Sequence, residues 1–231
     1  STGVSITYSD GNLKATSPTS SYSGGGISTY EVDSGKWYWE VRINAEATAG
    51  SNNYSFVGAS TDPKSVSVPN SSNLPGAAAG YNGWNYEGDG SVNLIGTGTV
   101  AQSSVTAPAV GDILGFAVDL DNGNVYFYHN GTAQNSGSPV ITGVTNLPTS
   151  PSVGVYNSSG VTFNFGQDST FAGATAAGGN ADGNGIGDFK YSPRTGFLAL
   201  CTKNLSESTI NTSQDDRPED YFNTVTYTGN G

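Results

Sequence analysis

Apolar and polar positions alternate along much of this chain with a period of two. Residues 36–43 show the pattern most clearly. One side of this run carries Trp37, Trp39, Val41 and Ile43, and the other side carries Tyr38, Glu40 and Arg42. Because successive side chains of a strand point to opposite faces, the pattern predicts a β-strand with one face buried in a sandwich.

A second strong signal lies in residues 111–131. An apolar run at 113–120 is followed by Asn122-Gly123 and then by an aromatic and β-branched run at 125–128. Asn-Gly between two such runs predicts a β-hairpin. The expected turn is type I′, which needs a positive φ at both central residues.

Other short extended runs are separated by turn residues. They lie at residues 6–8, 13–16, 27–32, 54–59, 80–86, 92–95, 139–144, 152–156 and 161–165. Loops are expected at 20–26, which is rich in Ser and Gly, at 61–79, which contains several prolines, and at 173–187. No stretch sustains a helical apolar period, so the chain is predicted to be all-β.

Composition narrows the range of partners. The chain of 231 residues has 33 glycines and 10 prolines, 12% charged residues and a formal net charge of −11. Its eight Lys and Arg residues cannot build a basic patch, which argues against nucleic acid as a partner. No segment approaches the roughly 18 apolar residues of a membrane-spanning helix, so no membrane partner is expected either.

Five segments, in this order along the chain, resemble the SPRY family. They are residues 34–41, 57–60, 111–131, 152–156 and 161–166. The resemblance covers roughly residues 5–171. It implies an all-β, concanavalin A-like jelly roll of two antiparallel sheets, with a short C-terminal extension. Members of this family bind peptides or proteins through loops at one edge of the sandwich and are not, as a rule, enzymes.

The resemblance divides the chain into three parts. Residues 1–172 are predicted to be the SPRY-like sandwich, residues 173–187 a Gly-rich loop, and residues 188–231 an extension or a linker to a further module. The chain contains no Met, and the strand-like alternation at 224–228 stops at a final Gly-Asn-Gly. These features predict that the chain is a processed product or a piece of a longer polypeptide.

The C-terminal stretch has a resemblance of its own. Residues 187–193, 196–205 and 220–231 resemble the segment that follows SPRY-like domains in large structural proteins of tailed bacteriophages. This implies a recognition module on the exposed surface of a virion, in a tail fibre, head fibre or capsid decoration. Its expected partners are a host-surface glycan or protein, other virion subunits and further copies of itself. A purely architectural virion role and a cellular peptide-binding adaptor remain the alternatives.

One aromatic segment is a candidate contact site. It contains Tyr81, Asn82, Trp84, Asn85 and Tyr86. Aromatic rings flanked by amide groups suit sugar stacking or peptide anchoring, because they combine contact area with directed hydrogen bonds. The alternative is an ordinary strand in which Trp84 is half-buried.

A calcium loop is a weaker hypothesis. Oxygen ligands at positions one, three, five and nine of an EF-hand-like loop would come from Asn180, Asp182, Asn184 and Asp188. Tyr191 occupies position twelve, where a bidentate Glu is needed, so a flexible linker is favoured. No metal or cofactor is therefore predicted.

The chain shows no convincing catalytic constellation. Two carboxylate pairs have glycosidase-like spacing, Glu31 with Asp33 and Glu87 with Asp89. Neither pair lies in apolar surroundings that could raise one pKa and not the other. Neither the lone His129 nor the lone Cys201, expected to be a buried small hydrophobe, has an evident catalytic partner. No catalytic residue is predicted, and the protein is not expected to be an enzyme.

Overall fold

The computed structural model describes residues 6–17, 22–45, 55–60, 83–96, 98–144, 149–156 and 158–205. The strands are β1 (Thr7–Ser9), β2 (Lys14–Thr16), β3 (Tyr22–Ile27), β4 (Lys36–Ala45), β5 (Ser55–Ser60), β6 (Gly83–Glu87), β7 (Val92–Ile95), β8 (Thr99–Val100), β9 (Ile113–Asp119), β10 (Asn124–His129), β11 (Thr132–Ala133), β12 (Ile141–Thr142), β13 (Ser150–Tyr156), β14 (Gly160–Asn164) and β15 (Leu198–Ala199). A 3₁₀ helix spans Asn135–Gly137.

These strands form the two sheets of a sandwich. The larger sheet has the order β1-β2-β14-β4-β9-β10-β12-β8, with β11 paired to β10 and β15 paired to β4. The smaller sheet has the order β3-β13-β5-β6-β7. Every pair is antiparallel except β15 with β4, which is parallel. The predicted all-β fold of two antiparallel sheets is confirmed.

The core between the sheets follows from the alternation in β4. Its apolar side faces inward, and the register with β9 places Trp39 opposite Phe116. The two rings stack with their centroids 5.7 Å apart. Trp84 of β6 and Phe127 of β10 complete this aromatic centre, with centroids 5.5 Å apart. Large buried rings of this kind supply much of the apolar area that stabilises a sandwich.

The predicted hairpin is confirmed, but its turn differs from the predicted type. β9 and β10 pair from Asp119 opposite Asn124, which leaves a four-residue loop. Gly123 has a positive φ of 68°, whereas Asn122 is not among the residues with positive φ. Asp119 explains the difference, because its carboxylate accepts hydrogen bonds from both the backbone and the side chain of Asn122, at 3.0 and 2.8 Å. This local bond stabilises a longer turn than type I′.

The Ser/Gly-rich loop expected at 20–26 is wrong in part, because residues 22–27 form strand β3. Glycine disfavours strands, but pairing with β13 outweighs that preference here. The strand predicted at 27–32 therefore begins earlier and ends at Ile27.

The second face of β4 is also covered. An outer cluster of buried residues lies on the larger sheet, away from the sandwich core: Tyr38, Ala117, Phe189, Phe197 and Ala199. The ring of Phe189 packs edge-on against Tyr38, with centroids 5.0 Å apart. β4 is therefore buried on both faces, whereas its alternation had predicted one.

The buried carboxylate of Glu40 holds this outer layer in place. Its side chain is 0% exposed and accepts backbone N–H bonds from Lys190 at 2.9 Å and Tyr191 at 2.8 Å. Tyr38 Oη and Asn164 Nδ2 donate to the same carboxylate, each at 3.2 Å. Desolvation raises the pKa of Glu40, although these four hydrogen bonds oppose the rise.

Residues 188–205, predicted to be an extension or a linker, thus pack onto the sandwich. Residues 206–231 lie outside the described part of the chain, so the prediction of a further module stays a prediction. In the ranges that the structure describes, no helix has the length and apolar character needed to span a membrane.

Candidate functional site

A cleft opens at one edge of the sandwich, where β1 and β2 of the larger sheet approach β3 and β13 of the smaller sheet. Its volume is about 320 Å³. Side chains and glycines from both sheets line it: Tyr8, Gly11, Asn12, Leu13, Ala15, Gly26, Ile27, Ser28, Thr29, Tyr30, Pro151, Val153, Phe163 and Phe165. The cleft exists because both sheets end on the same side, leaving their edge strands unopposed.

Aromatic rings form one wall of the cleft. Phe163 and Phe165 stack with centroids 5.6 Å apart and an interplanar angle of 14°. Tyr30 meets Phe165 edge-on, with centroids 6.2 Å apart. Phe163 is buried, whereas Tyr30 and Phe165 are only partly buried. The wall thus presents ring surface to an incoming group on a base that packing holds rigid.

Tyr8 forms an exposed lip of the cleft on β1, an edge strand of the larger sheet. Its side chain is 44% exposed, and it is one of two large apolar residues that the described part of the chain leaves exposed. Its hydroxyl lies over Gly26, where any Cβ would overlap it. Partial burial raises the pKa of Tyr8, so the hydroxyl stays protonated at neutral pH and can both donate and accept a hydrogen bond.

Among the described residues of the lining, none carries a charged side chain. Asp10 and Glu31, which are exposed, and Lys14, which is partly buried, are next in sequence to lining residues. An apolar, aromatic cleft with polar groups at its edge suits burial of apolar side chains.

The structure does not place Trp84 and Tyr86 of the predicted contact segment at the surface. Trp84 and Tyr86 are 2% and 1% exposed, in the core between the sheets. The ring of Tyr86 stacks on Phe127 at 5.5 Å. Neither ring has a surface available to a ligand, so their positions contradict the predicted contact role and assign both to packing. Alternation along β6 brought these aromatic residues inward.

Asn85 points to the opposite face of the smaller sheet and is also buried. Its side-chain carbonyl accepts a 3.3 Å hydrogen bond from Asn93 Nδ2. Tyr81 and Asn82 lie outside the described residues. The three predicted contact residues that the structure describes, Trp84, Asn85 and Tyr86, are all buried, on two faces of the smaller sheet.

Asp182, from the calcium-loop hypothesis, organises its loop through N–H donors. One carboxylate oxygen accepts the backbone N–H groups of Asn184 and Ile186, both at 2.9 Å. The other accepts Ala199 N–H at 2.8 Å and Asn204 Nδ2 at 2.7 Å. Both oxygens thus stabilise the loop and its contact with β15.

The other residues of that hypothesis are engaged in separate contacts. Asn180 Nδ2 donates to the Lys190 carbonyl at 3.0 Å, and Asp188 Oδ2 accepts the Ser169 N–H at 3.1 Å. Asn184 Nδ2 donates to Asn204 at 3.0 Å. In the described part of the chain, no group of three or more His, Cys, Asp or Glu side chains is placed to hold a metal ion.

The pKa of Glu87 differs from the one that the sequence predicted. Partial burial, helped by the nearby Asp89, raises the pKa of Glu87 to about 7, while a hydrogen bond from Asn93 Nδ2 opposes the rise. The sequence had indicated that its surroundings could not raise this pKa. Asp89 instead accepts the Ser91 N–H at 2.8 Å, which closes the turn after β6.

The raised pKa of Glu87 predicts a pH-dependent gain from Glu87→Gln. In the folded state the carboxyl group of Glu87 keeps its proton up to about pH 7, whereas the usual pKa of this group is 4.5. The stability linked to this proton is fully present below about pH 4.5 and is lost as the pH rises through 7. We expect the variant to match the parent near pH 4 and to be more stable near pH 8, by on the order of 1 kcal/mol after solvent screening.

Urea unfolding at the two pH values measures this difference, with Glu31→Gln as an exposed control. An equal effect of Glu87→Gln at both pH values would contradict the assignment.

The side chains of His129 and Cys201 make contacts within the fold, His129 at the hairpin and Cys201 at the outer cluster. His129 Nε2 lies 2.8 Å from Asp112 Oδ2, at the end of the β9–β10 hairpin. Cys201 is partly buried and packs against the outer cluster, close to the buried position expected for it.

Sequence reasoning missed the cleft residues. The alternation in 161–165 was recognised as a strand, and the pair Phe163 and Phe165 at its end was the available signal. Two aromatic residues on one face at a strand end, next to glycine, favour a surface that is only partly covered. The opposite wall comes from residues far apart in sequence, which the pattern could not bring together.

The fold is a β-sandwich of two antiparallel sheets. A family profile described as the SPRY domain matches residues 36–168, more than half of the chain. The chain belongs to the SPRY domain family. SPRY domains are protein-interaction modules and are typically non-catalytic.

One of three similar solved structures, a SPRY domain, shows the same fold with a TM-score above 0.5. The SPRY domain of human HERC1 matches with a TM-score of 0.51 at 20% identity, over 68% of this chain and 91% of that chain. The TRIM65 PSpry domain has a TM-score of 0.46 at 18% identity, over 71% and 87% of the two chains. Stonustoxin has a TM-score of 0.42 at 17% identity, over 70% of this chain and 27% of that chain. A search of curated proteins found no match.

Proposed function

We propose that this SPRY domain is a non-catalytic module that binds an apolar segment of a protein partner in the edge cleft. The observation that carries the proposal is that the exposed ring of Tyr8 and the partly buried rings of Tyr30 and Phe165 line one cleft, whose described lining residues include no charged side chain. Water contacts these rings in the unbound chain. A ligand that replaces that water gains free energy in proportion to the apolar area buried.

The size of the cleft sets the scale of binding. A volume of 320 Å³ accommodates a few side chains of a peptide, not a folded surface. Burying two or three large apolar side chains contributes roughly 2 kcal/mol each before the costs of association. The sum is about 4–6 kcal/mol before those costs, so the cleft by itself is expected to bind a short segment weakly, with a dissociation constant on the order of 10⁻⁴ M or higher.

A protein ligand fits the lining better than a glycan does. Leu13, Ile27 and Val153 contribute aliphatic surface, which matches apolar side chains. A sugar ring needs directed polar partners around it, and Asn12 is the one amide side chain in the lining. Screening the domain against a glycan array and a peptide library distinguishes the two ligand classes.

Tyr8→Ala is expected to weaken peptide binding about tenfold, because it removes the exposed lip of the cleft. The probe is the tightest peptide selected on the wild-type domain from a random library of roughly ten-residue peptides. Fluorescence anisotropy measures its dissociation constant. Val110→Ala is the matched control, because Val110 is 56% exposed and does not line the cleft. Selected peptides that bind both variants equally well would refute the assignment of the cleft.

We further propose, from the resemblance of residues 187–231 alone, that the module lies on the exposed surface of a bacteriophage virion. It would bind a host-surface protein or glycan there, or pack against other virion subunits. Antibody labelling of purified particles tests the location. Saturable binding of the labelled domain to host cells separates receptor recognition from an architectural role. Particles without the chain would refute the proposed location.

A further inference from the structure

The smaller sheet ends at one side in the edge strand β3. Only alternate residues of an antiparallel strand bond to a given neighbour. Ser28 N–H donates to the Pro151 carbonyl at 2.8 Å, and Gly26 pairs with Val153 two positions earlier. The N–H and C=O groups of Gly25 and of Ile27 therefore point away from β13. Among the described strands, none pairs with that edge.

Residues 22–27 contain no charged residue and no proline, two features that commonly prevent strand addition at an edge. Pairing with β13 is regular from Gly25 to Ile27, and the register shifts beyond Gly154, toward Tyr22. The regular edge that a second strand can pair with is therefore the segment from Gly25 to Ile27.

The same strand borders the cleft. Gly26 and Ile27 both line it, and Tyr8 lies over Gly26. A strand added beside β3 would have alternate side chains directed into the cleft, because its pleat continues that of the sheet. The backbone edge and the apolar cleft are thus parts of one surface.

We propose that the partner binds as an extended segment that adds a strand to the free edge of β3. This inference rests on the proposed function and specifies its binding mode. Backbone hydrogen bonds to Gly25 and Ile27 hold the segment in register. An apolar side chain of the segment enters the cleft beside the ring of Tyr8, whose hydroxyl lies over Gly26.

Charge defines the remaining chemistry of the segment. Two exposed acidic residues, Asp10 and Glu31, and one basic residue, Lys14, are next in sequence to lining residues, and the whole chain carries a net charge of −11. A basic residue next to the apolar positions is therefore favoured over an acidic one. The partner chemistry is an extended segment with alternate apolar residues and a flanking Lys or Arg.

Backbone methylation of the selected peptide tests the binding mode. Two versions are synthesised, one N-methylated at the odd residues and the other at the even residues. When the peptide is added as a strand beside β3, the N–H groups of either its odd or its even residues face β3, and the others point away. One version should therefore lose about tenfold or more in affinity, and the other should bind nearly as well as the parent peptide.

Variants of the edge supply a second measurement. Gly25→Pro removes an N–H that β13 does not use and should weaken binding about tenfold, whereas Gly25→Ala keeps the N–H and is the control. Circular dichroism checks that both variants fold. If Gly25→Pro does not fold, the methylated peptides decide the question alone.

The outcomes separate the two proposals. Peptides that depend on Tyr8 but respond equally to both methylation patterns would overturn strand addition and leave the proposed function intact. A library that yields no binder, or only binders indifferent to Tyr8→Ala, would overturn the proposed function and strand addition with it.

Discussion

Trp84→Ala should destabilise the fold by about 4 kcal/mol, the loss typical of a buried Trp replaced by Ala. The ring is 2% exposed and contacts Trp39, Phe116 and Phe127, with centroids 6.1, 5.6 and 5.5 Å away. Removing it leaves a cavity that the rigid aromatic neighbours on the larger sheet cannot close. The measurement is urea unfolding monitored by far-UV circular dichroism.

Trp84→Phe is the matched control, because it keeps an aromatic ring at the centre and should lose less than half as much stability. The same experiment separates packing from recognition at this residue. A Trp84→Ala variant that kept the parental stability and lost ligand binding would contradict the core assignment and restore the predicted contact role.

Glu40→Ala should release the outer layer from the larger sheet, with a loss on the order of 3 kcal/mol. The substitution leaves the N–H groups of Lys190 and Tyr191 without their acceptor in a buried place. It also removes the acceptor of the Tyr38 hydroxyl. Unpaired buried donors keep the full desolvation penalty, so this loss exceeds the value of an ordinary surface hydrogen bond.

Hydrogen exchange at residues 189–199 measures the release directly. We expect faster exchange there than in β9 and β10, because the layer opens before the sandwich does. Trypsin cleavage after Lys190 and Arg194 should increase in parallel. Glu31→Ala, at an exposed carboxylate, is the control. Unchanged protection of residues 189–199 in Glu40→Ala would show that apolar packing alone holds the layer.

The pKa of Glu40 does not conflict with this expectation. Burial raises it, so the stability linked to the Glu40 proton falls as the pH rises through its folded-state value. Replacing the whole group by Ala is a different change, because no acceptor of any kind remains for the two backbone N–H groups.

Strand β14 connects the two surfaces of interest. Asn164 faces outward and donates both to Glu40 at 3.2 Å and to the Asp188 carbonyl at 2.9 Å. Phe163, its neighbour in sequence, faces the core and lines the cleft. Alternation along one strand thus joins the outer layer and the binding cleft through adjacent residues.

The fold could be predicted because its strongest signals are local. The hairpin at 113–129 needs only its own apolar runs and turn residues, and the alternation of 36–43 assigns the inner face of β4 without reference to any partner. The family match over residues 36–168 covers these elements. Within the hairpin, the type of turn was still decided by one side chain, Asp119, which binds Asn122.

The candidate site could not be predicted in the same way. Its walls come from the hairpin around residue 11, the end of β3, the start of β13 and the end of β14. These segments are far apart in sequence and meet only when the sheets assemble. The contact role predicted for Trp84 was wrong for a related reason. An aromatic residue among amides has the same local pattern whether its face is covered or exposed.

Local sequence patterns were sufficient to predict the all-β class, the hairpin, the inward side of β4 and the SPRY family. These depend on periodicity and turn chemistry, which act over a few neighbouring residues. Tertiary structure alone decided that the glycines of β3 form a strand, that Phe189 and Glu40 bury the second face of β4, and that an apolar cleft remains open beside Tyr8. Coverage of a surface depends on which distant segment packs against it, and alternation within one strand carries no information about that segment.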